Sequence, residues 1–461
     1  MMPTYFRIAL TTVIFCFSLL LPQNTSGFPK TPVERIILSN GLVLLISEEH
    51  SLPSVTLQLL VEAGSRADPP GLEGLANLTS EGLLLGTATL TAPQINESID
   101  LIGASLSTST GKDVATVRLR VLKKDLDNGF RLFFEALTRP SFPEDEIKKE
   151  IQRTIGLIKS KEDDPSLVAE KAFEKALFIG NPYGHSVRGT LESLTRATRD
   201  EVFRFHKSHY LPNKAILAIT GDITPAEVRT RIVPKLGSWR KGAAFPMPFR
   251  EDYAKGPTII RINRSLTQAN IIIGSEGTSR SNPDFYALTV MNYILGGGGF
   301  NSRLMREIRG KRGLAYSVSS IFGAHKYPGS FQIELQTKNA SAWEAISLAI
   351  CEMKKMQSDL VTEKEISGAK KYLIGNFPLR IDTQTKLANF LVHAEYYGLG
   401  LEYPQKYHSL INAVTREDVI RTARKYLKPD SSTLVIVGNM NEGDNDQRVH
   451  SNCMNNENPV R

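Results

Sequence analysis

The sequence predicts an α+β fold of two homologous domains, each a mainly antiparallel sheet covered by helices. Length is the first reason: 461 residues exceed one ordinary domain of about 100–200 residues. The second is an internal echo. Thr198-Arg199-Asp200-Glu201-Val202 opens a predicted helix that runs to Tyr210-Leu211-Pro212-Asn213, followed by a strand from Ala215 to Thr220 and Gly221-Asp222. Thr415-Arg416-Glu417-Asp418-Val419 opens another, running to Tyr426-Leu427-Lys428-Pro429, then a strand from Thr433 to Val437 and Gly438-Asn439. Each threonine is placed to cap its helix with acids in the first turn, and each strand is a β-branched run ended by glycine. An offset of about 217 residues signals duplicated domains, since solenoid repeats recur far sooner. The third is Trp239 to Gly256, whose prolines 246 and 248 and several charges read as a linker.

Along the first half, Asn40-Gly41 predicts a hairpin between Val33–Leu38 and Leu42–Ile46. A third strand follows from Val55 to Val61, and alternation predicts another from Ala115 to Val121. Helical periodicity marks Leu75–Leu85, Lys123–Thr138, Glu144–Lys161 and Ser166–Phe178. Strands of the second half are expected near Thr258–Ile262, Asn270–Gly274, Ala315–Ile321 and Phe331–Gln336. The resulting organisation is residues 28–238, a linker at 239–256, a second domain at 257–440 and a polar, Asn-rich tail at 441–461 that is expected to be disordered.

Residues 1–27 read as a secretory signal peptide: Arg7 in a short basic start, an apolar run from Ile8 to Leu21, then the small-residue stretch up to Gly27. The run is shorter than the roughly 20 residues a spanning helix needs, and no later segment is long and apolar enough to span a bilayer. Export to the periplasm is the expectation. The net charge of +8 is spread among interspersed acids and bases, which gives no case for a nucleic-acid partner. Of three cysteines, Cys16 falls within the leader, Cys351 in an apolar helix pattern and Cys453 in the tail, so no structural disulfide is expected.

Residues 74–87 read Gly-Leu-Ala-Asn-Leu-Thr-Ser-Glu-Gly-Leu-Leu-Leu-Gly-Thr. This resembles the active-site helix of the pitrilysin/insulinase family of inverted-zincin metallopeptidases, Gly-x-Ala-His-x-x-Glu-His-x-x-x-x-Gly-Thr. In that family two histidines four apart on one helix face hold zinc, and the glutamate activates the bound water. Asn77, Ser80 and Glu81 stand at the positions of first histidine, glutamate and second histidine. An amide, a hydroxyl and a carboxylate replace them. The family's third ligand, a glutamate roughly 75–80 residues downstream, falls before Glu162-Asp163-Asp164-Pro165, at Leu157 or Gly156. Neither binds zinc. The resemblance implies a two-domain, half-size, pitrilysin-like chain that lacks the zinc site and does not hydrolyse peptides alone.

The second half keeps Gly296-Gly297-Gly298-Gly299-Phe300-Asn301-Ser302-Arg303-Leu304, then Arg306-Glu307-Ile308-Arg309 and Gly310-Lys311-Arg312-Gly313-Leu314-Ala315-Tyr316. This is similar to the family's glycine-rich loop and Arg/Tyr pair, which fits Arg309 and Tyr316. The resemblance implies that Gly297, Gly298 and Gly299 bind substrate and that Arg309 and Tyr316 hold the substrate carbonyl as charge develops, a fixed cation and a phenol forming an oxyanion clamp. Arg303, Arg306 and Arg312 are expected to be solvated or structural. No Gly-Lys-Ser/Thr follows the glycines, so nucleotide binding is not expected. His206 and His209 have helical spacing, and His185 lies in a loop beside Gly184; all three are read as packing residues.

The family's half-size members work as dimers whose four domains close around a chamber, and in some heterodimers one subunit carries zinc while its partner does not. The resemblance therefore implies a non-catalytic, peptide-binding subunit with no cofactor of its own, paired with a homologous zinc-bearing peptidase subunit. The alternative it implies is a non-proteolytic scaffold or peptide-binding protein, as in the family's respiratory-complex core subunits.

Overall fold

The computed structural model describes residues 32–243, 252–254 and 256–439. The expected leader at 1–27 and tail at 441–461 lie outside the described residues, as does part of the linker stretch.

Two six-stranded sheets form the frame. The first has β1 (Glu34–Ile37), β2 (Val43–Glu48), β3 (Ser54–Val61), β4 (Ser105–Thr110), β5 (Ala115–Leu122) and β6 (Ala215–Gly221), in the order β1-β2-β6-β3-β5-β4. The second has β7 (Thr258–Asn263), β8 (Gln268–Glu276), β9 (Thr278–Ser279), β10 (Ala315–His325), β11 (Pro328–Lys338) and β12 (Thr433–Gly438), in the order β7-β12-β8-β11-β10-β9. The run β2-β6-β3-β5-β4 superposes in topology on β7-β12-β8-β11-β10. In each, the first pair is parallel and the rest antiparallel. The duplication expected from the echo is thus a duplicated sheet, to which β1 and β9 are additions.

Local chemistry explains the elements. Gly41 adopts φ +89° between β1 and β2, the left-handed conformation that the Asn40-Gly41 hairpin requires. Every residue of β3 is buried, so this central strand is covered on both faces.

The helices are α1 (Leu75–Gly82), α2 (Ala92–Leu101), α3 (Leu126–Thr138), α4 (Glu144–Lys161), α5 (Pro165–Leu177), α6 (Leu191–Arg196) and α7 (Arg199–His209). Next comes a π-turn at Val228–Ile232, flanked by α8 (Pro225–Glu227) and α9 (Val233–Gly237). The second half adds α10 (Phe285–Asn292), α11 (Ala342–Ser358), α12 (Glu363–Asn376), α13 (Gln384–Tyr396), α14 (Tyr403–Asn412) and α15 (Arg416–Tyr426). The echoed threonines act as predicted: Thr198 caps α7 and Thr415 closes a capping box with Asp418 on α15.

Each half lends one helix to the other. From the first half, α5 lays Ala169, Phe173 and Leu177 against Ile272 of β8 and Val435 and Val437 of β12. Gly274 makes this possible, since a Cβ there would stand 2.6 Å from the Phe173 ring. From the second half, α13 packs on β3 and β6. There the Thr220 Oγ1 donates to the Gln384 carbonyl at 2.9 Å, and the Ser54 Oγ donates to its side-chain Oε1 at 2.9 Å. The second core accordingly contains Leu45, Leu60 and Ala218 of the first sheet.

Of the stretch read as linker, Trp239 is buried in the first core and donates its indole N–H to the Tyr210 carbonyl at 3.2 Å. Tyr253 donates its hydroxyl to the Pro328 carbonyl at 3.0 Å. One expectation is corrected: Cys351, buried on α11, is disulfide-bonded. A lone cysteine in a helical pattern carries no local mark of pairing.

Candidate functional site

The degenerate zinc frame begins at Gly74, whose φ of +96° turns the chain into α1. The buried Asp68 carboxylate accepts N–H bonds from Gly74 and Ala76, both at 2.7 Å, and so satisfies orphan donors at the helix start. Burial pushes that carboxyl up to about 8, against the pull of those two donors. Asn77 and Ser80 are both buried, Ser80 beside the Tyr210 hydroxyl with neither oxygen well aligned to a partner.

Opposite Glu81 stands α4. Arg153 donates to both oxygens of the buried Glu150, at 2.7 and 2.6 Å, and its Nη2 lies 3.9 Å from the Glu81 carboxylate. Burial and the neighbouring Glu150 raise the Glu81 pKa, while Arg153 and Arg188 pull it down. One turn beyond Arg153, Leu157 is 37% exposed and offers no ligand atom.

Zinc does not fit these residues. It needs imidazole, thiolate or carboxylate donors converging at about 2.0–2.3 Å, and here an amide, a hydroxyl and an alkyl chain stand at three of the four positions. The remaining carboxylate faces a guanidinium. Among the described residues, no group of three or more His, Cys, Asp or Glu is placed to hold a metal ion. Glu150 and Arg153 were not read from the sequence. Their i, i+3 spacing was visible, but only the packing of α4 on α1 shows that they face Glu81.

In the second half, a π-turn at Tyr293–Gly297 and a 3-10 turn at Gly299–Asn301 form the glycine-rich loop. Gly296 approaches the backbone so closely that a Cβ would meet the Ser320 nitrogen at 2.5 Å. Gly299 takes φ +57°, which leads the chain into Phe300. A second π segment, Met305–Gly310, ends in a turn where Gly313 donates to the Arg309 carbonyl at 2.9 Å. That turn returns the chain into β10.

The result brings Arg309 and Tyr316 together. The Arg309 Cζ lies 5.1 Å from the Tyr316 ring centroid and 5.0 Å from that of Phe300. Both rings are largely exposed, 73% for Tyr316 and 76% for Phe300. Among the described residues no carboxylate pairs with Arg309, because Glu307 is taken by Arg306, Lys311 and Arg312. Arg303 is held by both oxygens of Glu365 at 2.8 and 3.0 Å. An unpaired guanidinium lying against two aromatic rings can offer two parallel N–H donors to an oxygen ligand. Phe300, the second ring, was not singled out from the sequence, although it follows the glycines directly.

The histidines are structural. The His206 Nε2 bonds to the Leu137 carbonyl at 2.8 Å, and the His209 Nδ1 to that of Phe205 at 3.1 Å. Among the described residues, no helix is long and apolar enough to cross a membrane.

Paired α+β domains with a helix frame emptied of zinc ligands define a peptidase-type fold without the peptidase's metal centre. Similarity to known proteins agrees. The profile described as "Insulinase (Peptidase family M16)" matches residues 43–191, and that described as "Peptidase M16 inactive domain" matches residues 196–373. The chain belongs to the M16, or insulinase, peptidase family. It is 29% identical over 413 residues to an "uncharacterized zinc protease" of Rickettsia bellii, covering 87% of this chain and 96% of that one. It is 26% identical over 397 residues to the "non-peptidase homolog YmxG" of Helicobacter pylori, covering 86% and 91%. The crystal structure of a peptidase M16 inactive domain from Pseudomonas fluorescens superposes with a TM-score of 0.83 at 27% identity, covering 88% of this chain and 98% of that one.

Proposed function

We propose that this chain is the non-catalytic, substrate-binding subunit of a heterodimeric zinc metallopeptidase, exported to the periplasm and paired with a homologous subunit that carries the zinc. The observation that carries the reading is the contrast between the halves. The frame around Asn77, Ser80 and Glu81 has no metal-binding set, while Arg309 lies without a carboxylate against two exposed rings. In the assembled enzyme the partner's zinc would supply the activated water. Arg309 and Tyr316 would hold the peptide carbonyl and stabilise its developing negative charge, and the Gly297–Gly299 backbone would lie along the substrate.

Arg309→Ala and Tyr316→Phe are expected to lower turnover by about 10²–10³-fold each in a complex that still assembles. The measurement is chelator-sensitive peptidase activity of the purified complex. Unchanged turnover in both variants would sink the clamp. A second reading, a non-proteolytic peptide-binding scaffold, is favoured by similarity to the Helicobacter pylori relative, which is named a non-peptidase homolog. It predicts a stable complex without chelator-sensitive activity.

A further inference from the structure

The second half holds a cavity of about 540 Å³ between α10, α12, α13 and α14, bordered by the start of the glycine-rich loop at Gly297. Its place is instructive. Since α10 packs on α15 and α12 as α1 packs on α7 and α4, the cavity is the pseudo-symmetric counterpart of the emptied zinc frame.

The walls are aromatic, with Tyr293, Phe322, Phe390, Tyr397, Tyr403 and Tyr407 among the lining side chains. The charged groups that line it are two guanidiniums, Arg280 and Arg380, and no acid lines it. Arg280 lies 3.8 Å from the Phe285 ring centroid and donates one N–H to the Tyr403 hydroxyl at 2.9 Å. Arg380, exposed at the rim, stands 5.9 Å from the Tyr407 ring centroid. Neither meets a carboxylate among the described residues. Tyr407 and Thr278 border the cavity as almost wholly buried residues, 3% and 2% exposed, with their hydroxyls beneath its surface.

We propose that this cavity binds the C-terminal residue of a peptide whose last side chain is aromatic. The ring stacks among the aromatic walls. The carboxylate takes the free donors of Arg280 and Arg380. This goes beyond the clamp, because it needs no partner subunit and lies within this chain alone.

The test is calorimetric titration of the purified chain with N-acetyl-Ala-Ala-Phe, its C-terminal amide and 3-phenylpropionate. The free-acid peptide is expected to bind, and the amide to bind at least 10-fold more weakly. Arg380→Gln, at the exposed rim, is expected to weaken the acid by about 10-fold, and Arg280→Gln by more. Should Arg280→Gln fail to fold, the acid-against-amide comparison on the unmodified chain and Arg380→Gln decide. Equal affinity for acid and amide, binding of 3-phenylpropionate alone, or no binding of any of the three overturns the proposal. Turnover of the zinc-bearing complex does not enter this measurement, so the clamp and the cavity stand or fall separately.

Discussion

At Glu81 the chain replaces a metal cation with an organic one. The Arg153 guanidinium, half exposed, lies against the buried Glu150 and 3.9 Å from Glu81, two carboxylates that would otherwise repel each other. Arg153→Gln should therefore destabilise the protein by about 1–3 kcal/mol, because Glu150 stays buried without its cation. Glu150→Gln combined with Arg153→Gln should recover most of the loss, since the uncompensated charge goes with it. Urea unfolding of the three variants checks this, and a neutral single variant would show that the pair is only a surface contact. The missing ligands at Asn77, Ser80 and Leu157 were legible in the sequence, since spacing along one helix is local information. The replacement cation was not, because it depends on which face α4 turns toward α1.

Among the elements, α7 is pinned to the last turn of α3 by one imidazole. His206 sits between Phe142 and Tyr210, and its Nε2 donates to the Leu137 carbonyl at 2.8 Å. Burial lowers its pKa to about 4, from an ordinary value of 6.5. The unfolded chain then binds the proton first, so this contribution is complete above about 6.5 and is lost as pH falls toward 4, on the order of 3 kcal/mol. Asp68, raised to about 8, works in the opposite sense, since its protonated form is favoured on folding. The prediction is thus on a difference: the stability gap between the wild type and His206→Gln should narrow or reverse between pH 7 and pH 4. Denaturant midpoints at the two values measure it, and a gap independent of pH refutes it.

Periodicity located most strands and the longer first-half helices but did not place α10–α14, and three other misses have local causes. One is β4, Ser-Leu-Ser-Thr-Ser-Thr, an edge strand with half-exposed and exposed residues in alternation and hence no apolar signal. Another is α2, which buries only Ile95 and Ile99, four apart, although its Thr91–Gln94 capping box was there to be read. The third, β9, is two residues long.

At the scale of the whole molecule, the exchange of α5 and α13 decides how the protein unfolds. The echo at Thr198 and Thr415 disclosed two copies. It could not disclose that each copy surrenders a helix, because that packing joins segments far apart in the chain. Since Phe173 and Leu177 belong to the first half yet complete the cover of β8 and β12, losing the second sheet strips α5 of its sheet contacts. Losing α13 likewise uncovers β3 and β6. The halves should then melt as one cooperative unit despite their two cores. The protein carries a natural reporter in each, with two tryptophans in all. Trp239 is buried in the first core, and Trp343 packs against the second beneath Arg261. Trp239→Phe and Trp343→Phe each leave a single tryptophan, read by selective excitation. In urea, each variant's fluorescence transition is expected to coincide with its own loss of helical circular dichroism, with a slope that reflects the surface of the entire chain. A fluorescence midpoint that separates from the circular dichroism in either variant would mean that one half survives the loss of its borrowed helix, and the reciprocal packing would then be an attachment between two autonomous domains.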